Sequence, residues 1–77
     1  MDTLKMIEAI LRDIFDDETL QISESTNAND IEDWDSIAQI RIASEVESAF
    51  SVKFSFAELQ GMKNVGDMVR LIEEKKR

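Results

Sequence analysis

The stretch "DWDSIAQIRIASEVESAF", residues 33–50, contains the main helical pattern of the chain. Its apolar residues recur at helical spacing and form one broad stripe, made of Ile40, Ile42, Ala43, Val46 and Phe50. We predict a helix from Ser36 to about Phe50 and expect the stripe to be buried. Since one helix cannot cover its own stripe, this pattern predicts a fold in which other amphipathic helices pack against it.

The segments on either side also follow helical patterns. With no Pro, only two Gly and no alternating run typical of a strand, the chain predicts helices throughout. A first helix, about residues 3–15, has a stripe of Leu4, Ile7, Leu11 and Ile14 and an i,i+4 pair of Glu8 and Arg12.

Two more helices are expected after residue 54. "SFAE", residues 55–58, matches a capping box and predicts a short third helix that ends at Gly61. A last helix begins near Asn64 and ends in the basic residues 75–77, which suit the negative end of a helix dipole. We expect these residues to be core: Phe50, Phe54, Phe56, Met62, Val65, Met68, Val69 and Ile72.

Residues 16–35 form a long acidic segment between the first two helices. They contain eight acidic and no basic side chains, so they account for the whole net charge of −8. A loop of this length is usually functional or disordered. Four apolar residues favour an ordered loop that is anchored on the helices: Leu20, Ile22, Ile31 and Trp34. The sequence therefore predicts an all-α fold, a small four-helix bundle with a long first loop and a short third helix.

Length and composition narrow the function. Seventy-seven residues suit a single domain, residues 1–77, and no long heptad pattern argues against a monomer. Without Cys or His, the chain lacks a thiolate nucleophile, a Ser-His-Asp triad and the usual zinc ligands, so we expect no enzyme and no metal site. The net charge of −8 argues against binding nucleic acid.

Two further classes are disfavoured by local pattern. The first fifteen residues carry charges throughout, so they resemble neither a secretory signal nor a membrane span, and we expect a cytoplasmic protein. An EF-hand needs Gly and Glu at the sixth and twelfth places of its loop. Counted from Asp30, those places hold Asp35 and Arg41, so specific calcium binding is not expected.

Ser36 has two interpretations. In the first, "SIAQ", residues 36–39, is a capping box and Ser36 starts the helix. In the second, Asp35 is the cap, which leaves the Ser36 hydroxyl beside helix amides that favour an anion such as a phosphodiester. Local pattern alone leaves both open.

The segments "DWDSI", "AQIRIASEVESAF" and "FSFAELQGMKNVGDMVRLI" together resemble a stand-alone acyl carrier protein of the phosphopantetheine-binding family, over nearly the whole chain. The resemblance implies that Ser36, in the Asp35-Ser36-Ile37 motif, carries a 4′-phosphopantetheine arm. It further implies a carrier that holds acyl or aminoacyl groups as thioesters and performs no bond chemistry itself. The implied partners are a phosphopantetheinyl transferase and the enzymes that load and transfer the acyl or aminoacyl group.

Partner contacts are expected along the second helix. Helical geometry places Ile37 near Arg41, Glu45 and Ser48, so Ile37 is either a satellite core residue or an exposed contact for partner enzymes. Asp35, Glu45 and Glu47 would steer basic partner surfaces. Arg41 and Ser48 stand where fatty-acid carriers are often acidic, and Trp34-Asp35-Ser36 is similar to carriers of specialised biosynthetic clusters.

Two questions stay open. Trp34 is either an anchor of the loop or an aromatic residue that faces a partner. The alternative function is a cofactor-free acidic helical interaction domain, in which Ser36 only caps and the acidic surface binds a basic protein.

Overall fold

The computed structural model describes residues 2–76, which form four α-helices. They are α1 (Thr3–Ile14), α2 (Ser36–Phe50), α3 (Phe56–Gly61) and α4 (Val65–Lys75). Residues 2–76 contain no strand, and the predicted all-α four-helix fold is confirmed. Of the predicted basic cluster at residues 75–77, Arg77 lies outside the described residues. None of the four helices combines the length and apolarity needed to cross a membrane.

Each helix begins with a side-chain cap. The capping residue accepts a hydrogen bond from the backbone N–H three residues later in all four helices: Asp2, Asp35, Ser55 and Asn64. A cap of this kind contributes about 1 kcal/mol to helix stability. These local signals explain why the predicted helix boundaries agree with the structure to within about two residues.

The core is made by three helices. The fully buried large side chains are Ile7 and Leu11 from α1, Ile42 and Val46 from α2, and Val65, Met68 and Ile72 from α4. By contrast, α3 contributes no buried residue. The short third helix therefore lies at the margin of the core, where its position depends on contacts at its ends.

Two residues predicted to be core are exposed. Ile40 is 68% exposed and Phe56 is 75% exposed. Ile40 precedes Ile42 by two residues, which places it about 160° around the helix from that buried side chain. Phe56 is the first residue of α3, whose Leu59 is only half-buried. Both predictions were wrong because apolar type and rough spacing did not show which arc of each helix meets the core.

The first loop is held to α1 by polar contacts. The predicted pair of Glu8 and Arg12 forms, with 3.2 Å between Oε1 and Nη2. The same two side chains bind the loop backbone, since Glu8 Oε2 accepts from Ile22 N at 3.0 Å and Arg12 Nε donates to Leu20 O at 2.7 Å. The side chains of Leu20 and Ile22 pack against the core. The loop is therefore anchored, as its apolar residues predicted.

The loop also contacts the start of α4. Val65 N donates to Thr26 O and Gly66 N donates to Glu24 O, each at 2.8 Å. A Cβ at Gly66 would lie 2.9 Å from Glu24 O, closer than real Cβ atoms approach a carbonyl oxygen. Gly66 is therefore needed for the close approach of loop and helix. Ile31, the fourth predicted anchor, is half-buried.

Ser51, which ends α2, has a left-handed backbone with φ 56° and ψ 45°. Gly adopts this conformation without a Cβ penalty, but it also raises the conformational entropy of the unfolded chain. We expect the first effect to be larger, so Ser51→Gly should raise the free energy of unfolding by about 0.5 kcal/mol. Chemical denaturation measures the change. Ala49→Gly, in the last turn of the same helix and exposed, is the control and should destabilise by about 0.5 kcal/mol. A loss of stability in Ser51→Gly would contradict the cap argument.

Candidate functional site

The first turn of α2 is capped by Asp35. Its Oδ1 accepts from Ala38 N at 2.8 Å, and its backbone oxygen accepts from Gln39 N at 2.9 Å. The capping-box interpretation of Ser36 is therefore wrong. Ser36 is the first residue within the helix, and its side chain is exposed.

The position of Ser36 suits a phosphodiester. The N–H groups of the first helical turn have no partner in a preceding turn and form the positive end of the helix dipole, which favours an anion. An exposed primary alcohol at this end can be joined to a phosphate without displacing a cap. The residues present therefore fit a 4′-phosphopantetheine arm on the Ser36 oxygen.

An open apolar groove lies beside Ser36. Its volume is about 650 Å³, and we call it the outer groove; it is lined by Ala28, Trp34, Asp35, Ser36, Gln39, Ile40, Phe56, Leu59 and Gln60. The exposed side chains of Ile40 and Phe56 thus have a place in the structure, as walls of this groove. The sequence does not predict this groove, because its walls come from the loop, α2 and α3, which no local pattern brings together.

The α3 wall of the groove is held by Glu58. One carboxylate oxygen of Glu58 accepts from Ser55 N at 2.8 Å, which completes the predicted capping box, and lies 3.0 Å from Lys75 Nζ of α4. The Ser55 N–H and then Lys75 lower the pKa of Glu58. Lys75 also lies over the Phe54 ring, at 6.0 Å from its centroid. These contacts position α3 without any buried residue in α3 itself.

Trp34 anchors the end of the long loop. Its ring is tilted against Phe15, with 6.2 Å between the centroids, and it packs against the core. Its Nε1 donates to Gln39 Oε1 at 2.7 Å. The anchor interpretation is therefore supported, and the same side chain also lines the outer groove.

The predicted partner residues lie along α2. Ile37 is 72% exposed, which excludes a satellite core residue, and Arg41, Glu45 and Ser48 are exposed as well. Glu47 differs from them, because it is half-buried and its Oε2 accepts from Phe54 N at 2.7 Å. Its carboxylate therefore serves the turn that follows α2.

Comparisons with known proteins agree with this geometry. Residues 6–72 match the protein family described as "Phosphopantetheine attachment site". The acyl carrier proteins of Streptococcus pyogenes serotypes M3 and M1 are each 31% identical over 75 residues, which is 97% of this chain and 97% of theirs. The solution structure of holo acyl carrier protein from Geobacter metallireducens is 38% identical, with a TM-score of 0.90 over 99% of this chain and 87% of that one.

These likenesses in sequence and fold span nearly the whole chain, and they agree with an exposed serine placed at a capped helix start. They favour the carrier prediction over the cofactor-free interaction domain. The chain belongs to the phosphopantetheine-attachment family of acyl carrier proteins, whose members bear a prosthetic arm and have no catalytic activity of their own.

Proposed function

We propose that Ser36 Oγ is the atom to which the 4′-phosphopantetheine of this carrier is attached. The observation that supports this assignment most strongly is the capping of α2 by Asp35, because it leaves the Ser36 hydroxyl exposed at the positive end of the helix. The chain contains no His, the commonest general base, so we assign the deprotonation of the Ser36 hydroxyl to a partner transferase. The arm supplies a terminal thiol that holds an acyl or aminoacyl group as a thioester.

The residues around Ser36 then orient and shelter what the arm carries. The outer groove begins at Ser36 and is lined largely by apolar side chains, among them Ile40, Phe56 and Leu59. An arm that folds back along α2 would bring its apolar portion against these side chains. We propose that residues 1–77 act in this way as a single carrier domain.

Intact mass spectrometry tests the assignment. The purified chain is incubated with coenzyme A, magnesium and a broad-specificity phosphopantetheinyl transferase. We expect a mass gain of one phosphopantetheine, and fragmentation should locate it on Ser36 among the seven serines of the chain. Attachment at another serine, or no gain on a folded chain, would contradict the proposal.

The partner surface is proposed to be the exposed side of α2 next to Ser36. Ile37 supplies an apolar contact that a partner can cover, with Arg41, Glu45 and Ser48 around it. Asp35 and Glu45 are exposed acids that attract basic patches on the transferase and on the enzymes that load and transfer acyl or aminoacyl groups. Glu47 takes part less, because Phe54 N already occupies one carboxylate oxygen.

Charge steering predicts different rates of phosphopantetheine transfer for two variants, in each of which one acidic residue is replaced by its uncharged amide. We expect Asp35→Asn to slow modification by about threefold at low salt, which is the effect of one unit charge about 7 Å from a partner charge in water. Asn replaces Asp because it caps a helix equally well, so the helix start is kept. Initial rates of phosphopantetheine transfer measure the effect.

Glu24→Gln is the matched control for Asp35→Asn. Glu24 is also exposed and lies in the acidic loop, but its side chain is not at the start of α2. We expect its rate to stay close to that of the wild type, and the difference between the variants to shrink as salt screens the charges. Equal rates for the two variants at low salt would contradict steering at Asp35.

A further inference from the structure

A second, smaller space adjoins the outer groove. This inner cavity has a volume of about 30 Å³ and shares Ala28, Trp34 and Gln39 with the outer groove. It is also lined by Met62, by the exposed Lys63, by Asn64 and by Met68, which is fully buried in the core. Trp34 and Gln39 therefore line both the groove that contains Ser36 and a space that reaches the buried Met68.

One hydrogen bond joins these two side chains. Trp34 Nε1 donates to Gln39 Oε1 at 2.7 Å, and both residues are half-buried. The bond connects the last turn of the loop to the first turn of α2, while Phe15 contacts the indole at 6.2 Å between centroids. A partly buried indole N–H that loses its acceptor is destabilised, so the bond favours a closed arrangement.

We propose that the Trp34–Gln39 hydrogen bond is a closed partition between the two spaces. If the arm is attached at Ser36, as proposed above, this partition confines an apolar acyl group on the arm to the outer groove. Gln39 is then a residue that determines acyl specificity. The inner cavity has room for a few water molecules, which is too little for an alkyl chain unless Trp34 and Gln39 move apart. The outer groove has the size of a small-molecule site.

The chemistry of the outer groove indicates its occupant. Ile40, Phe56 and Leu59 offer apolar surface, and Ser36 itself is a lining residue, so an acyl group on an arm attached there reaches the groove when the arm folds back. Asp35 lies at the same rim, and its carboxylate disfavours a free fatty acid, whose own carboxylate is negative. A neutral thioester-bound acyl group meets no such repulsion. An acyl group in this open groove is partly sheltered from water, and it reaches the space beside Met68 only when the partition opens.

A chemical tether tests the partition without any transferase. The chain contains no Cys, so Ser36→Cys places a single thiol at residue 36, which methanethiosulfonate reagents convert to an octyl or a methyl disulfide. Methyl resonances of ¹³C-labelled methionine report on Met68, and Met6 of α1, which lines neither space, is the internal reference. The parent chain carries Ser36→Cys and keeps Trp34 and Gln39. In this parent we expect the octyl and methyl adducts to give the same Met68 resonance.

Two variants at residue 39 complete the test. Gln39→Leu removes the acceptor, so the octyl adduct should shift the Met68 resonance relative to the methyl adduct. Gln39→Glu keeps an acceptor, so the Met68 resonance should again be the same for both adducts. Trp34 is the single tryptophan, and its indole N–H resonance shows directly whether the bond is present in each variant. Trp34→Phe removes the donor and should repeat the Gln39→Leu result. It replaces Gln39→Leu in the test if the Gln39→Leu chain fails to fold.

An octyl-dependent shift of Met68 in the parent would overturn the proposal. So would unchanged Met68 resonances in both Gln39→Leu and Trp34→Phe when the chains are folded and the bond is lost. Because the tether is chemical, failure of a transferase to modify Ser36 would count against the proposed function alone. A partition that behaves as expected would still stand as a property of the groove.

Discussion

Ser36→Ala is expected to abolish the gain of phosphopantetheine and to leave the fold intact. Removing the hydroxyl removes the atom that would bond to the phosphate, so the loss should be complete. The helix start survives because Asp35, and not Ser36, binds Ala38 N. We therefore expect a stability change within about 0.5 kcal/mol, typical of an exposed position, whereas a lost cap would cost about 1 kcal/mol.

Intact mass and thermal melting measure the two parts of this prediction, and Ser44→Ala is the matched control. Ser44 is also an exposed serine of α2, but it lies two turns further along the helix. Ser44→Ala should gain one arm as the wild type does. An arm on Ser36→Ala, or its absence from Ser44→Ala, would show that the attachment site lies elsewhere or needs more of α2.

Ile42→Ala is expected to cause the largest loss of stability, about 2–5 kcal/mol. Ile42 is fully buried in the middle of α2 and belongs to the core that α1, α2 and α4 share. Truncation loses the transfer free energy of the removed carbons and leaves a cavity. A chain of 77 residues has a total stability of about 4–12 kcal/mol, so this variant should be partly unfolded at the low end of that range.

Ile40→Ala is the matched control for Ile42→Ala, with the same change in the same helix. Because Ile40 is 68% exposed, we expect its unfolding free energy to change by at most about 0.5 kcal/mol. Urea titrations followed by circular dichroism compare the two variants. Equal losses would mean that Ile40 packs in the core, as its sequence position first indicated, and would contradict the observed orientation of α2.

Together the two pairs of variants separate the two sides of α2. Ile42 stabilises the fold and has no access to partners, while Ser36 and the exposed Ile37 are available to them and contribute little to stability. Variants on the exposed side should therefore change modification and transfer rates without lowering the melting temperature. A carrier that works by presentation needs this separation, because each partner enzyme must bind a folded α2.

Helix positions and helix starts were predictable from the sequence because the signals are local. Side-chain caps such as Ser55 and Asn64 act on an amide three residues away, and a stripe such as Ile7 and Leu11 lies within one helix. Recognition of the family depended on the same short-range features. The motif at Ser36 and the order of the helices could be recognised without knowing which helix surfaces pack together.

The rotation of α2 and the groove were decided only by tertiary structure. Apolar residues occupy most of the circumference of α2, so Ile40 and Ile42 look equivalent until α1 and α4 cover one of them. The outer groove needs the loop, α2 and α3 together, and α3 is placed by Lys75 from α4. Burial depends on the sum of many distant contacts, whereas a cap depends on one nearby hydrogen bond. For this reason the sequence alone determined the helices and the motif, while the packing of the helices determined the site around Ser36.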